Sequence, residues 1–479
     1  MTAKKSPVTK SESSSLRPAA PAPAPDSATK VRLLRLMVES RQGDLRQESL
    51  NRQGRGHFHV ASMGHEALAA VGLLLSEGDF ACPYYRDRAL VLARGMTSYD
   101  LALEYFAKRE SSSGGRQLTG HFSSRAHNIW SVPTPTAAQM LPACGIAWGL
   151  QLDGKPNVVV TSAGDAATRQ GDFYEAVCFA QERKLPVLLL VQDNAYGIST
   201  PTRKTNPYAL GVLAREQWQV VDGSDPLAVY AAASAAIARL RAGQGPALLW
   251  INTERLASHT SSDDHKLYRS ASDLERLPDH DPIAVFQRQL VADGLLTAAD
   301  FEKLENEVRD EVRQAYDRAE QAEEPRAEET ETNVFAVPAP ELTGELFPAG
   351  RHRIGDLVNQ TLRAGLKAEP RRMIFGEDVE DPKGGVFRLT RTLSSDFPRQ
   401  VFNSPLAEST ILGVACGLAS YGWKPVFEIQ FIDFICAGWN QLATNLATLR
   451  WRTAGQWTCP VVIYAPYGAY LPGGSLWHS

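Results

Sequence analysis

The sequence predicts an α/β protein that contains two regions of mostly parallel sheet covered by helices. From Val31 to about Glu324, short runs rich in Val, Leu and Ile alternate with helix-like segments, which is typical of parallel strands joined by crossover helices. The same alternation returns from about Arg351 to Ser479. Between the two regions, an acidic and proline-punctuated stretch shows neither period and indicates a linker.

These observations divide the chain into four segments. They are a disordered tail (1–30), a first α/β domain (31–324), a linker (325–349) and a second α/β domain (350–479). The second domain is predicted to be incomplete, because the sequence reaches "GGSLWHS" without a closing helix or strand. An apolar strand such as "CPVVIYAPY" would then lie at an exposed sheet edge.

Composition and charge limit the classes of function. The chain has 479 residues, of which 43% are hydrophobic and 22% charged, and its net charge is −4. No basic surface therefore predicts a nucleic-acid partner. No apolar run approaches the roughly 18 residues that span a membrane, and the N-terminus lacks the apolar core of a secretory signal. The six cysteines show no CxxC spacing, which favours reduced core residues in a cytoplasmic protein.

Two polar residues follow apolar runs in the first domain. Asp165 comes after "NVVVTSAG" and Asn194 after "LPVLLLVQD", 29 residues apart, which is about the length of one strand–helix–strand crossover. Both side chains would therefore lie at the carboxyl edge of the sheet, where α/β proteins bind ligands. A carboxylate and an amide oxygen suit a Mg²⁺ ion that also binds a diphosphate. Alternatively, Asp165 caps the following helix and Asn194 forms a turn.

The residues around these two positions resemble a known family. "GDAATRQGDFYEA" followed by "QDNAYGISTP" is similar to the thiamine-diphosphate signature in the alpha subunit of 2-oxo acid dehydrogenases, and the likeness is closest to the branched-chain and pyruvate types. Segments such as "GRGHFHVASMGHEA" and "YYRDRALVLARGM" agree in the same order. The resemblance extends from about Asp44 to Asp281 and implies a thiamine-diphosphate-binding domain.

The resemblance assigns roles to individual residues of the first domain. Five of them would contact the cofactor, namely Tyr85, Arg86, Thr134, Ala166 and Ala167. Three would supply oxygen ligands to Mg²⁺, namely Asp165, Asn194 and the backbone carbonyl of Tyr196.

Two positions depart from the family pattern. Ala166 stands where the usual motif has glycine, so its backbone is expected to adopt a shape normally left to glycine. Gln192 replaces an arginine that some members place just before a pair of asparagines, here Asp193 and Asn194. Gln192 is therefore a candidate cofactor contact that lacks the positive charge.

A histidine lies in the polar segment "RLASHTSSDDHKLYRS". Such a side chain is able to donate a hydrogen bond to a developing oxyanion or to shuttle a proton near neutral pH, although a lone histidine is more often a surface residue. The segment is similar to the family's "GHxSxSDxxxYR" loop, whose histidine faces the cofactor. The resemblance therefore implies that His259 is a catalytic residue in contact with the cofactor.

The second domain resembles the N-terminal, pyrimidine-binding half of the family's beta subunit from Phe375 to Ser479. Within "PLAES", Glu408 matches the catalytic acid that hydrogen-bonds a ring nitrogen of the cofactor's aminopyrimidine. Without the resemblance, a first-turn position on the following helix would account for Glu408. Phe434 matches an aromatic residue beside the pyrimidine, and His478 matches a second active-site histidine.

The combined resemblance implies an alpha-like and a beta-like subunit fused in one chain. The implied reaction is oxidative decarboxylation of a branched-chain 2-oxo acid or pyruvate, with thiamine diphosphate and Mg²⁺ as cofactors and a lipoyl-bearing dihydrolipoyl acyltransferase as acyl acceptor. In this family the cofactor lies between domains that usually belong to different chains, so a homodimer of fused chains is expected. The alternatives are a non-catalytic fragment of such an enzyme and an acetoin-cleaving thiamine enzyme.

Overall fold

The computed structural model describes residues 24–337, 349–468 and 477–478. Most of the predicted tail and residues 338–348 of the predicted linker lie outside these described residues. The helices are α1 (Ser27–Arg52), α2 (Ala69–Leu74), α3 (Arg88–Ala93), α4 (Ser98–Tyr105), α5 (Met140–Leu152), α6 (Gly171–Arg183), α7 (Pro226–Arg241), α8 (Ala271–Glu275), α9 (Pro282–Ala292), α10 (Ala298–Glu320), α11 (Ile354–Ala368), α12 (Leu393–Asp396), α13 (Glu408–Tyr421) and α14 (Leu449–Arg452). The strands are β1 (Phe80–Cys82), β2 (Val159–Gly164), β3 (Val187–Asp193), β4 (Tyr196–Gly197), β5 (Thr200–Pro201), β6 (Trp218–Asp222), β7 (Ala247–Asn252), β8 (Arg372–Gly376), β9 (Val401–Asn403), β10 (Lys424–Glu428) and β11 (Val462–Tyr464).

The first domain is built around a parallel sheet with the strand order β1-β2-β3-β7-β6. Successive side chains of a strand point to opposite faces, and both faces are buried here. Leu188 and Leu190 of β3 enter a cluster that includes residues of α1, α7 and α10. Leu189 and Val191 enter a second cluster that includes residues of α5 and α6. Burial on both faces explains why β3 reads as a continuous apolar run.

The second domain contains a parallel sheet with the order β11-β10-β8-β9. Helix α13 packs against β10, and α11 packs against β8. Both sheets are thus parallel and carry helices, which confirms the fold class predicted from the alternation of apolar runs and helical segments.

The two domains share one hydrophobic cluster, whose members include Phe179 of the first domain and Phe375 of the second. At its centre, helices α5 and α13 cross at a contact formed by glycines. A Cβ atom added to Gly417 would lie 1.9 Å from the carbonyl oxygen of Pro142, and one added to Gly145 would lie 2.3 Å from that of Val414. The helix backbones therefore touch, and the two domains pack as one body.

The structure describes the end of the predicted tail and the first part of the predicted linker. Helix α1 begins at Ser27 because the Asp26 side chain accepts a hydrogen bond from the backbone of Thr29, so the helix includes the last residues assigned to the tail. The described part of the predicted linker, 325–337, is held against both domains. Glu329 pairs with Arg109 of the first domain, and the carbonyl of Thr330 accepts a hydrogen bond from Trp451 of the second domain.

No helix among the described residues is both long and apolar enough to cross a membrane. The cysteines are all free. Cys82, Cys144 and Cys416 are buried, as the apolar surroundings in the sequence predict, whereas Cys178 and Cys436 are exposed.

A buried acid in α4 predicts a pH-dependent stability. Burial raises the pKa of Glu104 from 4.5 to about 8, and its carboxylate accepts a hydrogen bond from Ser112 at 2.7 Å. The folded state thus keeps a proton that the unfolded state releases, so ionisation of Glu104 lowers the free energy of unfolding as pH rises from about 4.5 to about 8. We expect the free energy of unfolding of Glu104→Gln, measured by urea denaturation, to rise relative to that of wild type as the pH increases over this range. A difference that does not change between pH 5 and pH 9 would contradict this assignment.

Candidate active site

A cavity of about 490 Å³ opens at the carboxyl edge of the first sheet. It brings together residues that the sequence analysis named from five separate segments. These residues are Tyr85, Arg86, Thr134, Asp165, Ala166, Ala167, Asn194, Tyr196 and His259. The parallel register of β2 and β3, in which Gly164 pairs with Gln192, places the two candidate metal ligands Asp165 and Asn194 at this edge.

The candidate metal ligand Asp165 is buried beside groups that do not neutralise it. Its carboxylate accepts a hydrogen bond from the Thr202 hydroxyl. Burial, followed by the neighbouring charge of Asp193, raises the pKa of Asp165 to about 7. A divalent cation at this position would offset the negative charge, so the residues fit a Mg²⁺ site. Asp165 precedes a short 3₁₀ turn at Ala166–Arg169 but makes no side-chain capping bond to it, which argues against the helix-cap alternative.

The second candidate ligand, Asn194, is oriented by a buried hydrogen-bonded chain. Its Nδ2 donates to His65 Nε2 at 3.4 Å, and His65 Nδ1 donates in turn to Gln192 Oε1 at 2.7 Å. Gln192 Nε2 donates to Asp87 at 2.6 Å. The amide nitrogen of Asn194 is thereby turned toward His65. Its Oδ1, which accepts the backbone N–H of Tyr196 at 3.3 Å, also forms the turn that the alternative interpretation expected.

Gln192 itself is fully buried and is not among the residues that line the cavity. Its hydrogen bonds go to His65, Tyr84 and Asp87. The structure thus places Gln192 behind the cavity wall. This position does not favour a direct contact between Gln192 and the cofactor, which stays a prediction.

The expectation for the backbone of Ala166 is wrong. Ala166 begins a right-handed 3₁₀ turn and is absent from the positive φ angles of the described residues. Left-handed backbone occurs instead at Ala195 (φ 66°) and Ile198 (φ 58°), in the loop that follows Asn194. A Cβ atom on Gly197 would lie 2.7 Å from the Cβ of Ala166. The glycine that this contact requires is therefore supplied by position 197, which leaves room for an alanine at 166.

Arg86 supplies a buried positive charge at the cavity wall. It is 2% exposed, and its guanidinium donates to the carbonyl of Ala61 and to both Nδ1 (2.8 Å) and the carbonyl of His259 (3.2 Å). These acceptors are neutral, so the charge remains available to an anion in the cavity. A diphosphate group fits this electrostatic environment.

His259 is held in one protonation state. Burial, followed by the charge of Arg86, lowers its pKa to about 4, so the ring is neutral near pH 7. Since the Arg86 guanidinium only donates, His259 Nδ1 accepts and the hydrogen lies on Nε2. Its backbone N–H donates to Asp263 at 2.7 Å. His259 is therefore a preoriented neutral donor that suits a developing negative charge on an oxygen.

The three predicted site residues of the second domain do not line this cavity. Glu408 is the first residue of α13 and is partly buried. Phe434 contacts His478 edge to face at 5.6 Å, and His478 Nδ1 lies 3.1 Å from Asp433. The structure thus gathers Phe434 and His478, but it does not bring them or Glu408 to the cavity of the same chain.

Comparison with known proteins agrees with this two-part arrangement. Residues 34–328 match the family described as Dehydrogenase E1 component. The chain belongs to the dehydrogenase E1 component family. Residues 353–475 match the pyrimidine binding domain of transketolase. The protein is therefore a thiamine-dependent 2-oxo acid dehydrogenase component that carries both kinds of domain in one chain.

Individual relatives of this E1 component match about three fifths of the chain. The 2-oxoisovalerate dehydrogenase subunit alpha of Bacillus subtilis is 36% identical over 301 residues, which are 61% of this chain and 91% of the relative. The pyruvate dehydrogenase E1 component subunit alpha of Bacillus cereus is 35% identical over 300 residues, 60% of this chain and 77% of the relative. A mitochondrial 2-oxoisovalerate dehydrogenase subunit alpha of Arabidopsis thaliana is 31% identical over 292 residues, 60% of this chain and 62% of the relative.

Several residues of the E1 site were missed from the sequence, among them His121 and Thr202. His121 lines the cavity, and its Nε2 accepts a hydrogen bond from Thr134 at 3.1 Å. Thr202, which follows the antiparallel pair β4–β5, hydrogen-bonds Asp165. The segment "GGRQLTGHFSS", which contains His121, is also similar to the family, and this similarity was a usable signal. Thr202 lies 37 residues from Asp165, and no signal in the sequence pointed to it.

Proposed function

We propose that this protein is the decarboxylating component of a 2-oxo acid dehydrogenase complex. In this proposal it acts on a branched-chain 2-oxo acid or pyruvate and passes the acyl group to a lipoyl-bearing dihydrolipoyl acyltransferase. The observation that carries the proposal is the meeting of an acid–amide pair, Asp165 and Asn194, with the unneutralised Arg86 and the neutral His259 in one cavity. The names of the relatives support the two substrate classes.

Each cavity residue would have a role that follows from its chemistry. Asp165, Asn194 and the carbonyl of Tyr196 would hold Mg²⁺, and Arg86 would bind the diphosphate group of the cofactor. Thiamine diphosphate supplies the carbon nucleophile and the electron sink when it is bound. His259 would donate from Nε2 to the carbonyl oxygen of the substrate. His478 would assist at the same oxygen or at the lipoyl sulfur.

We infer that a second copy of the chain completes each site. Glu408, Phe434 and His478 do not line the cavity of their own chain, whereas the function requires an acid at the pyrimidine ring. In a homodimer, the second domain of each chain would face the cavity of its partner. Each catalytic centre would then combine Asp165 of one chain with Glu408 of the other.

Hybrid dimers provide a direct test of this arrangement. Asp165→Asn and Glu408→Gln are each expected to be inactive, because one removes the metal carboxylate and the other the catalytic acid. In a randomly mixed dimer population, sites shared between chains should restore roughly a quarter of wild-type activity, since half of the dimers contain one intact site. Co-expression of the two variants with different affinity tags would give this population. Sites contained within single chains would give no recovery.

Substrate use is tested by release of CO₂ from 2-oxoisovalerate and pyruvate, with acetoin cleavage assayed alongside and ferricyanide as the electron acceptor. We expect CO₂ release that requires both thiamine diphosphate and Mg²⁺. Addition of a lipoyl domain should then give acyl-lipoyl product. Cofactor binding without turnover would support the non-catalytic alternative, and cleavage of acetoin alone would support the acetoin enzyme.

A further inference from the structure

One wall of the cofactor cavity is a loop, 131–138, that leads into α5. Thr134 and Thr136 of this loop line the cavity. On its outer side, the loop meets the second domain of the same chain through three side chains that are almost completely buried. Gln441 and Asn445 are 0% exposed, and Arg452 is 6% exposed.

Gln441 and Asn445 bind the end of the loop at a single carbonyl. Their side-chain nitrogens donate to the oxygen of Ala138 at 3.0 and 2.8 Å, so both lone pairs of this oxygen are used. Asn445 also donates to Gln441 Oε1 at 2.7 Å, and Gln441 donates to Asp172 of α6 at 2.9 Å. Residues Gln441–Leu446 form a π-helical turn, a rare geometry that is frequent at functional sites.

Arg452 binds the beginning of the loop. Its Nε donates to Ser131 Oγ at 3.1 Å, and its Nη2 donates to Asn445 Oδ1 at 3.1 Å. Among the described residues, every acceptor of this guanidinium is a neutral oxygen. Burial lowers the pKa of Arg452 to about 10. A buried charge without an acid is costly, and an apolar side chain of similar volume would often give a more stable interface.

The contact with Ser131 continues to the cavity. Ser131 Oγ accepts from Gln117 Nε2 at 3.3 Å, and the same Nε2 lies 3.4 Å from the carbonyl of His121. His121 accepts the hydroxyl of Thr134 at 3.1 Å. The network runs from the buried Ser131 through the partly buried Gln117 to Thr134 at the cavity, and connected hydrogen bonds of this kind help to fix the positions of their members.

We propose that Gln441, Asn445 and Arg452 are positioning residues, which hold loop 131–138 in the shape that thiamine diphosphate requires. The second domain then has two separate tasks. It prepares the cavity of its own chain through these contacts, and it offers Glu408 to the cavity of the partner. The inference rests on the proposed function in one respect, since it takes thiamine diphosphate as the occupant of the cavity.

The test compares Arg452→Met with Arg371→Met. Arg371 also joins the domains, by an ion pair with Asp153 at the far end of α5, so the control removes an interdomain arginine away from the loop. For Arg452→Met we expect faster hydrogen–deuterium exchange of the loop amides in the cofactor-free protein. We also expect the dissociation constant of thiamine diphosphate, measured with Mg²⁺ by tryptophan fluorescence, to rise about 10-fold, as is typical for loss of an outer supporting contact. Arg371→Met should change neither quantity.

Ser131→Ala is a second variant that tests the same contact if Arg452→Met does not fold. It removes one acceptor of Arg452, the Ser131 hydroxyl oxygen, and it should raise loop exchange and the dissociation constant in the same direction by a smaller factor. Unchanged exchange in this variant and in a folded Arg452→Met would overturn the inference. Failure of the wild-type protein to bind thiamine diphosphate would instead overturn the proposed function, because the exchange of the loop is measured without cofactor.

Discussion

Replacing Glu408 by glutamine is expected to lower CO₂ release from 2-oxo acids by about 10²- to 10⁴-fold, the usual contribution of a general acid–base group. Glutamine keeps the size of the side chain and a hydrogen bond to the pyrimidine ring, but it does not exchange a proton at that position. The dissociation constant of thiamine diphosphate should stay within a few-fold of wild type, because Asp165, Asn194 and Arg86 are unchanged. The loss would thus fall on kcat.

A matched control is Glu369→Gln, which removes a carboxylate that pairs with Lys424 at the surface of the same domain. This variant should release CO₂ at the wild-type rate, since exposed ion pairs contribute little to stability. If Glu408→Gln kept more than a tenth of wild-type activity, the role of Glu408 in proton transfer would be wrong.

Gly417→Ala is expected to destabilise the protein by about 3 kcal/mol or more, at or above the upper end of the usual cost of overpacking a core. The added methyl group would lie 1.9 Å from the backbone oxygen of Pro142. A backbone oxygen in a helix does not move aside as a flexible side chain does, so α5 and α13 would have to separate. Urea denaturation gives the change in the free energy of unfolding.

The same substitution at Gly355 is the control. Gly355 lies in α11, and an added Cβ would lie 3.5 Å from its nearest neighbour, a methyl group of Leu389, which is an ordinary van der Waals contact. Gly355→Ala should therefore leave stability unchanged or raise it by up to about 1 kcal/mol through helix propensity. Equal effects of the two substitutions would show that the glycine crossing does not limit the packing of the domains.

Local sequence patterns were sufficient for the features that repeat along the chain. The buried strand β3 is a run of apolar residues. The polar residue after it lies at the sheet edge because the strand ends there, independently of contacts elsewhere in the fold. For this reason, Asp165 and Asn194 could be placed together from their spacing. The family-like motifs added Tyr85, Arg86 and His259, which the structure places in the same cavity.

Features that depend on distant contacts could not be predicted in this way. Arg452 and Ser131 are 321 residues apart, and no periodicity in the sequence connects them. The prediction for the backbone of Ala166 was wrong because the close contact that requires a glycine is met by Gly197, which lies in β4. Likewise, a motif identifies Glu408 as an acid, but only the packing of α13 against α5 shows that Glu408 does not line the cavity of its own chain.

The glycine contact between α5 and α13 joins two segments of a single polypeptide. Dilution therefore does not separate them, since a covalent tether keeps the second domain at an effective concentration in the millimolar range, to order of magnitude. Separate subunits would need a larger or tighter interface to stay together at low protein levels. If a second copy completes each site as proposed, loss of activity on dilution is expected to report on the contact between copies and not on the contact between α5 and α13.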